Sequence, residues 1–308
     1  MMQSSQENWY RIYGLRVRSQ LHLPEVATEA PGGTPDVDVR HGAFEPHVLD
    51  ALLEGRSQKR WVGRLEDGTI WMDSLCACYQ IRGGNHIVFT PKEENADPLL
   101  LRTFLLGSAF GFLLHQRGIY PIHGGAIVSA GKAVIITGDK GAGKSTITSA
   151  LVKRGFSFLA DDVSAVQATP QGALIHPAYP QRKLCRDAAI ALDYDLNTLF
   201  YLGEDRDKFA IREAENWCPS ATPLHWMIEL SAQEGAPISV EPIQGGDALP
   251  LFLQSIYRRF YYAFAGMPPI RMQEVLNIVS NTHFFRLTHP GSIATLKDVT
   301  HAIAALVR

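Results

Sequence analysis

Residues 9–19, Trp-Tyr-Arg-Ile-Tyr-Gly-Leu-Arg-Val-Arg-Ser, alternate apolar and polar side chains, the period-two pattern of a half-buried strand. The Pro/Gly-rich run Pro31-Gly32-Gly33-Thr34-Pro35 predicts a loop, after which Val37-Asp38-Val39 resumes the alternation. Short strands are predicted at 61–65, 69–72, 78–81 and 86–89, with Glu66-Asp67-Gly68 and Gly83-Gly84-Asn85 as turns between them. Residues 1–96 therefore predict a small β-rich domain, mostly antiparallel.

The pattern changes at Asp97-Pro98, which opens an apolar stretch through Leu114 that is too long for a strand and predicts a buried helix. Apolar runs follow at 125–128 and 133–136, then a glycine-rich loop, a helical stretch from Lys144 to Arg154, and the strand-like Phe156–Ala160. Strand, loop, helix and strand make an α/β core, and residues 97–308 are predicted to form a second, α/β domain. Helices are also predicted at 250–265, 271–280 and 299–307.

Composition adds bounds. The chain has 308 residues, 46% hydrophobic and 19% charged, enough for a sizeable core. Its formal net charge of -2 and pI near 6.6 provide no field for nucleic acid or an anionic membrane. Neither a run of about 18 apolar residues nor the basic and apolar blocks of a signal peptide is seen, so a cytoplasmic location is expected. Cys76, Cys78, Cys185 and Cys218 match neither a disulfide framework nor paired zinc ligands; Cys76 and Cys78 are expected to be buried on one strand face.

The candidate chemistry is concentrated in Gly138-Asp139-Lys140-Gly141-Ala142-Gly143-Lys144-Ser145, with Thr146 following. This matches G-x-x-x-x-G-K-[ST] between a predicted strand and a predicted helix, the context a phosphate-binding loop requires. Gly138, Gly141 and Gly143 let successive amides face phosphate oxygens, and the helix N-terminus adds a favourable dipole. Lys144 brings a full charge to the β- and γ-phosphates, and the Ser145 hydroxyl is placed for Mg²⁺. ATP and Mg²⁺ are the expected cofactors.

Asp161-Asp162 closes the strand that follows the loop's helix, and strands of an α/β sheet present their sites at their carboxyl ends. One carboxylate can bind Mg²⁺ while the other accepts a hydroxyl proton. Ser145 with Asp162 is the expected metal pair, although sequence alone leaves the division of labour between Asp161 and Asp162 open. Lys140, Arg182, Lys183 and Lys208 could add positive charge, each more readily explained as a solvated surface group. The cluster Tyr257-Arg258-Arg259-Phe260-Tyr261-Tyr262 is expected to be packed aromatics with solvated arginines rather than a base-stacking surface.

His123-Gly124, the intervening strands, Gly138–Ser145, Arg154-Gly155 and Ala160-Asp161-Asp162 together resemble the core of the HPr kinase/phosphorylase family. The resemblance is close over residues 120–165. It implies a P-loop kinase core of HPr-kinase type and phosphoryl transfer to a serine of a peptide or protein. It also implies a place for His123 beside Asp161 and Asp162 at the reaction centre. Downstream, the Glu-Arg-Gly signature of the bacterial HPr kinases is not found; Pro177-Ala178-Tyr179-Pro180-Gln181-Arg182 stands in that region. Tyr10–Leu15 and Leu21–Glu25 are similar to the opening of a divergent branch, within which the chain most resembles lasso-peptide precursor kinases acting on a terminal serine. Two other functions fit the same residues: a small-molecule hydroxyl kinase, and a nucleotide-gated binding module that transfers nothing. The sequence leaves homo-oligomerisation open.

Overall fold

The computed structural model describes residues 7–203 and 207–307; residues 1–6, read above against a signal peptide, lie outside them. The chain forms two compact units. One reaches to Tyr120 and takes in Arg258–Pro268, and the other holds Pro121–Tyr257 and Pro269 onward.

In the first unit, β1 (Asn8–Ile12), β2 (Leu15–Ser19), β3 (Val37–His41), β4 (Val62–Arg64), β5 (Ile70–Asp73), β6 (Ala77–Arg82) and β7 (His86–Pro91) form one sheet. Its order is β1-β2-β3-β7-β6-β5-β4. The alternating run 9–19 is a hairpin rather than one strand, because Tyr13 and Gly14 both take positive φ, 54° and 76°, and reverse the chain. The strand pairs are antiparallel except β2–β3 and β3–β7. The predicted strands at 61–65, 69–72, 78–81 and 86–89 all appear within a residue or two of their expected ends. A helix that the hydrophobic pattern did not suggest, α1 (Pro46–Ser57), seats Val48 and Leu52 on Trp71 and Cys78. Cys76 and Cys78 are buried, as expected.

The apolar stretch after Asp97 is helical: α2 (Pro98–Phe104), a π turn at Leu105–Ala109, and α3 (Phe110–Gln116). Asp97 caps it by accepting from the Leu99 amide at 2.8 Å, with Pro98 in the first turn. Contrary to the sequence expectation, this one helical run of 19 residues is long and apolar enough to cross a membrane by length and composition; most of it is buried inside the protein.

The second unit is a mixed sheet. Its strands are β8 (Tyr120–His123), β9 (Gly125–Ser129), β10 (Lys132–Gly138), β11 (Ser157–Ala160), β12 (Val163–Thr169) and β13 (Gly172–His176), with β17 (Thr222–Ala232), β18 (Ser239–Ile243) and β19 (His283–His289). A separate three-stranded sheet joins β14 (Gln181–Cys185), β15 (Phe200–Tyr201) and β16 (Lys208–Arg212). The helices are α4 (Lys144–Lys153), α5 (Arg186–Ala191), α6 (Ala248–Ser255), α7 (Tyr261–Ala265, in the first unit), α8 (Pro269–Ser280) and α9 (Leu296–Leu306). The single helix predicted over 250–265 is broken, because Ile256 leaves the helix to bridge Ile122 of β8.

The long strand β17 is the spine of the sheet, parallel to both β10 and β19. Ile127, Val134, Ile136, Ile228, Leu230 and Leu287 from the strands meet Ile147 and Leu151 of α4 and Val299 and Ile303 of α9 in one core cluster. Burial of this much aliphatic surface, about 25 cal/mol per Å² removed from water, fixes α4 against the sheet. The loop at the N-terminus of α4 is thereby fixed too.

Candidate active site

The loop 138–143 leaves β10 and enters α4. Gly138, Gly141 and Gly143 have φ of 134°, 96° and 89°, values that side-chain-bearing residues rarely adopt. At Gly138 the demand is doubled, since a Cβ would lie 2.5 Å from the carbonyl oxygen of Leu230 on β17. Lys144 folds back over the loop, and its Nζ donates to the oxygens of Gly138 at 2.8 Å and Asp139 at 2.9 Å. Asp139, Lys140 and Gly141 are exposed, Ala142 is buried, and Ser145 and Thr146 are half-buried in the first turn of α4.

Strand β9 lies between β10 and β11 and is antiparallel to both, so β10 and β11 run in the same direction and end at the same edge. That topology brings Asp161 to the loop. Its Oδ1 accepts from the Ser145 hydroxyl at 3.3 Å, and its Oδ2 accepts from the Lys183 amide at 2.8 Å. Burial, reinforced by the neighbouring charge of Asp162, pushes the Asp161 carboxyl up to about 6; the Lys183 amide and the cations of Arg182 and Lys183 oppose the rise. An oxygen pair with negative charge in excess suits a hard divalent cation that takes its other ligands from water and phosphate. Among the described residues no group of three or more His, Cys, Asp or Glu side chains could hold a metal by itself.

Asp162 faces solvent, and its carbonyl faces inward. With φ of 63° it occupies a left-handed conformation, and the Val163 amide donates to the Asp161 oxygen across it at 2.7 Å. This is the hydrogen bond of a γ-turn, a strained form that needs support from its surroundings. Two donors on the Asp162 carbonyl oxygen supply it: the Gly124 amide at 3.1 Å and His123 Nδ1 at 3.1 Å. A carbonyl can only accept, so His123 carries a proton on Nδ1.

His123 itself is fixed from three sides. Its carbonyl accepts from Thr137 Oγ1 at 2.9 Å, and its ring lies beside Tyr257, centroids 5.9 Å apart. The two glycines after it are steric necessities: a Cβ on Gly124 would lie 2.6 Å from the Ile136 oxygen, and one on Gly125 would lie 2.6 Å from Thr148 Oγ1. Arg154-Gly155 has a structural role. Gly155, with φ of 95°, turns the chain out of α4, and Arg154 reaches Thr300 of α9 at 3.4 Å.

The structure thus brings together His123, Lys144, Ser145, Asp161 and the main chain of Asp162. It places Asp161, not the expected Asp162, against Ser145. Of the four candidate cations, Arg182 departs most from the solvated group expected: it is 1% exposed and ion-paired with the buried Glu213, with Tyr194 Oη at 3.1 Å. Lys183 serves Asp161 through its amide. Lys140 is exposed in the loop, and Lys208 is half-buried on β16. The aromatic part of the cluster 257–262 is packed as expected, with Phe260 against Trp61 and Phe112, and Arg259 is exposed, but Arg258 is not the solvated group expected: its guanidinium lies over Trp61 and bonds Ser108 at 2.7 Å. Tyr257 and the Lys183 amide were not foreseen as neighbours of the site, because both arrive through hydrogen bonds made at long sequence distance, Tyr257 to Pro121 and Lys183 to Asp161.

No family model matches this chain. It is 35% identical over 138 residues to the HPr kinase/phosphorylase of Lactiplantibacillus plantarum, covering 41% of this chain and 43% of that protein. It is 37% identical over 89 residues to the HPr kinase/phosphorylase of Bacillus velezensis, covering 27% and 28%. The similarity therefore spans less than half the length of these curated relatives. Among solved structures, that of the Hpr(Ser) kinase/phosphatase from Coxiella burnetii matches 60% of this chain and 95% of its own, with 15% identity and a TM-score of 0.31.

Proposed function

We propose that this protein is a cytoplasmic kinase that transfers the γ-phosphoryl group of ATP to a serine hydroxyl of a peptide or protein. The observation that carries the proposal is the contact of the Asp161 carboxylate with Ser145, the first residue after the loop lysine, at 3.3 Å. It sets one buried carboxylate against the loop proposed to bind phosphate, and the partial similarity to HPr kinase/phosphorylases supports the same reaction.

The residues divide the work as follows. The amides of 141–144 and the ammonium of Lys144 bind the phosphates, Lys144 exchanging two carbonyl oxygens for phosphate oxygens. Ser145 and Asp161 would hold Mg²⁺, which when bound neutralises charge on the β- and γ-phosphates. Asp162, solvent-facing, is the acceptor of the serine proton, while His123 and Gly124 hold its backbone in place. The transfer forms the serine O–P bond, breaks the bond to the β-phosphate oxygen, and leaves ADP and a proton.

The narrower resemblance to lasso-peptide precursor kinases supports a C-terminal serine as acceptor. A panel of peptides with terminal or internal serines, set beside sugars and other small hydroxyl compounds and read by mass spectrometry, tests the acceptor class. Phosphate on the terminal-serine peptides alone is expected; phosphate on the small compounds alone would contradict it.

A further inference from the structure

His289 is the last residue of β19 and lies 147 positions beyond Ala142, yet its ring reaches the loop at that residue. It is 5% exposed and has a partner on each nitrogen. The Gly291 amide donates to Nδ1 at 3.2 Å, so Nδ1 carries no proton. The proton therefore sits on Nε2, which faces the main-chain oxygen of Ala142 at 3.2 Å. The tautomer follows from the two partners, one a donor and the other an acceptor.

Ala142 precedes Gly143 in the loop. In a planar trans peptide the carbonyl of Ala142 and the amide N–H of Gly143 point in opposite directions. A donor that holds the oxygen toward β19 therefore turns the N–H away from β19, the side on which the proposed cradle would receive phosphate. Gly143 needs this help. At φ of 89° it is the N-cap of α4, and a glycine there tolerates the flipped peptide almost as well as the observed one. In the flipped form an oxygen would face the incoming phosphate. Two other loop carbonyls have guards of their own, since Lys144 covers those of Gly138 and Asp139, and the Asp139 oxygen also accepts from the Ala142 amide at 3.1 Å.

We infer that His289 is a positioning residue for nucleotide binding, acting through the Ala142–Gly143 peptide to keep the loop in its anion-accepting orientation. The inference rests on the reading of residues 138–145 as a phosphate cradle. His289 would touch neither nucleotide nor acceptor, and its effect would fall on nucleotide affinity rather than on the acceptor.

Two substitutions separate its two hydrogen bonds. His289→Gln can still present a donor near the Nε2 position, whereas His289→Asn can replace only the Nδ1 acceptor for Gly291 and is too short for Ala142. Binding of Mg-ADP and Mg-ATP to each full-length variant is measured by calorimetry, with thermal unfolding alongside to show that each is folded. Losing one buried hydrogen bond to a carbonyl predicts roughly fivefold to thirtyfold weaker binding for His289→Asn. The Gln variant should stay within about threefold of the parent. Equal affinity in the parent and His289→Asn, or equal weakening in Asn and Gln, would overturn the inference while leaving the cradle intact. Absence of nucleotide binding in the parent protein would overturn the cradle, and the inference with it.

Discussion

The ring Nδ1–H of His123 donates to the main-chain oxygen of Asp162 at 3.1 Å, so the histidine acts on the aspartate's backbone and not on its carboxylate. Asp162 needs that support, being held at φ of 63°. Two residues 39 positions apart thus fix the exposed carboxylate that the proposed mechanism uses as base.

His123→Ala should therefore loosen Asp162 without emptying the proposed phosphate site. Turnover is expected to fall on the order of 10²-fold, the cost of misplacing a reacting group by about an ångström, with the Kd for Mg-ATP nearly unchanged. Steady-state kinetics beside calorimetric binding check this. A large rise in Kd with normal turnover would place His123 on the nucleotide instead.

Asp161→Asn should separate activity from stability. The carboxylate is buried beside another carboxylate, and its raised pKa means that the fold disfavours its charge. A neutral amide of the same shape should leave the unfolding midpoint in metal-free buffer equal or higher, while transfer is lost. Chemical unfolding together with a phosphorylation assay tests both halves.

Much of this site is legible in the sequence because its parts are contiguous. Gly138–Ser145 carries its own glycines, lysine and hydroxyl, and Asp161-Asp162 ends the next apolar strand. The hairpin at Tyr13-Gly14 escapes a periodicity argument because a two-residue turn preserves the alternation on both sides of it. Arg182 reads as a surface cation because its partner, Glu213, lies on a segment paired with it only in three dimensions. His289 and Tyr257 are invisible for the same reason: β19 finds β17, and Tyr257 finds Pro121, through pairings no local pattern encodes.

The buried Arg182–Glu213 pair should behave as a unit. Removing one partner, by Arg182→Met or by Glu213→Gln, strands the other in the interior and should cost about 3–5 kcal/mol. The double variant Arg182→Met/Glu213→Gln should cost clearly less than the sum of the two. Urea unfolding of the three variants measures the coupling, and simple additivity would show that the pair is not one energetic unit.

Asp73 gives a pH dependence in the other unit. Burial pushes its carboxyl upward, but hydrogen bonds from Arg56, Lys92 and Cys78 outweigh it and bring the pKa down to about 2. A carboxyl lowered in the folded state stabilises the fold above its ordinary value of 3.8, and that contribution is lost as pH falls toward 2. The acid limb of stability between about pH 4 and pH 2 should be shallower in Asp73→Asn than in the parent protein, as measured by urea midpoints across that range.

The most direct measurement of the central claim is transfer itself. The protein is incubated with Mg-ATP and serine-containing peptides, and the products are analysed by fragment mass spectrometry, with Asp161→Asn and Asp162→Asn in parallel. The account predicts one phosphate on a serine oxygen with the parent protein and none with either variant, although both variants still bind nucleotide. Undiminished phosphorylation by both aspartate variants, or nucleotide binding by the parent with no hydroxyl ever phosphorylated, would contradict it.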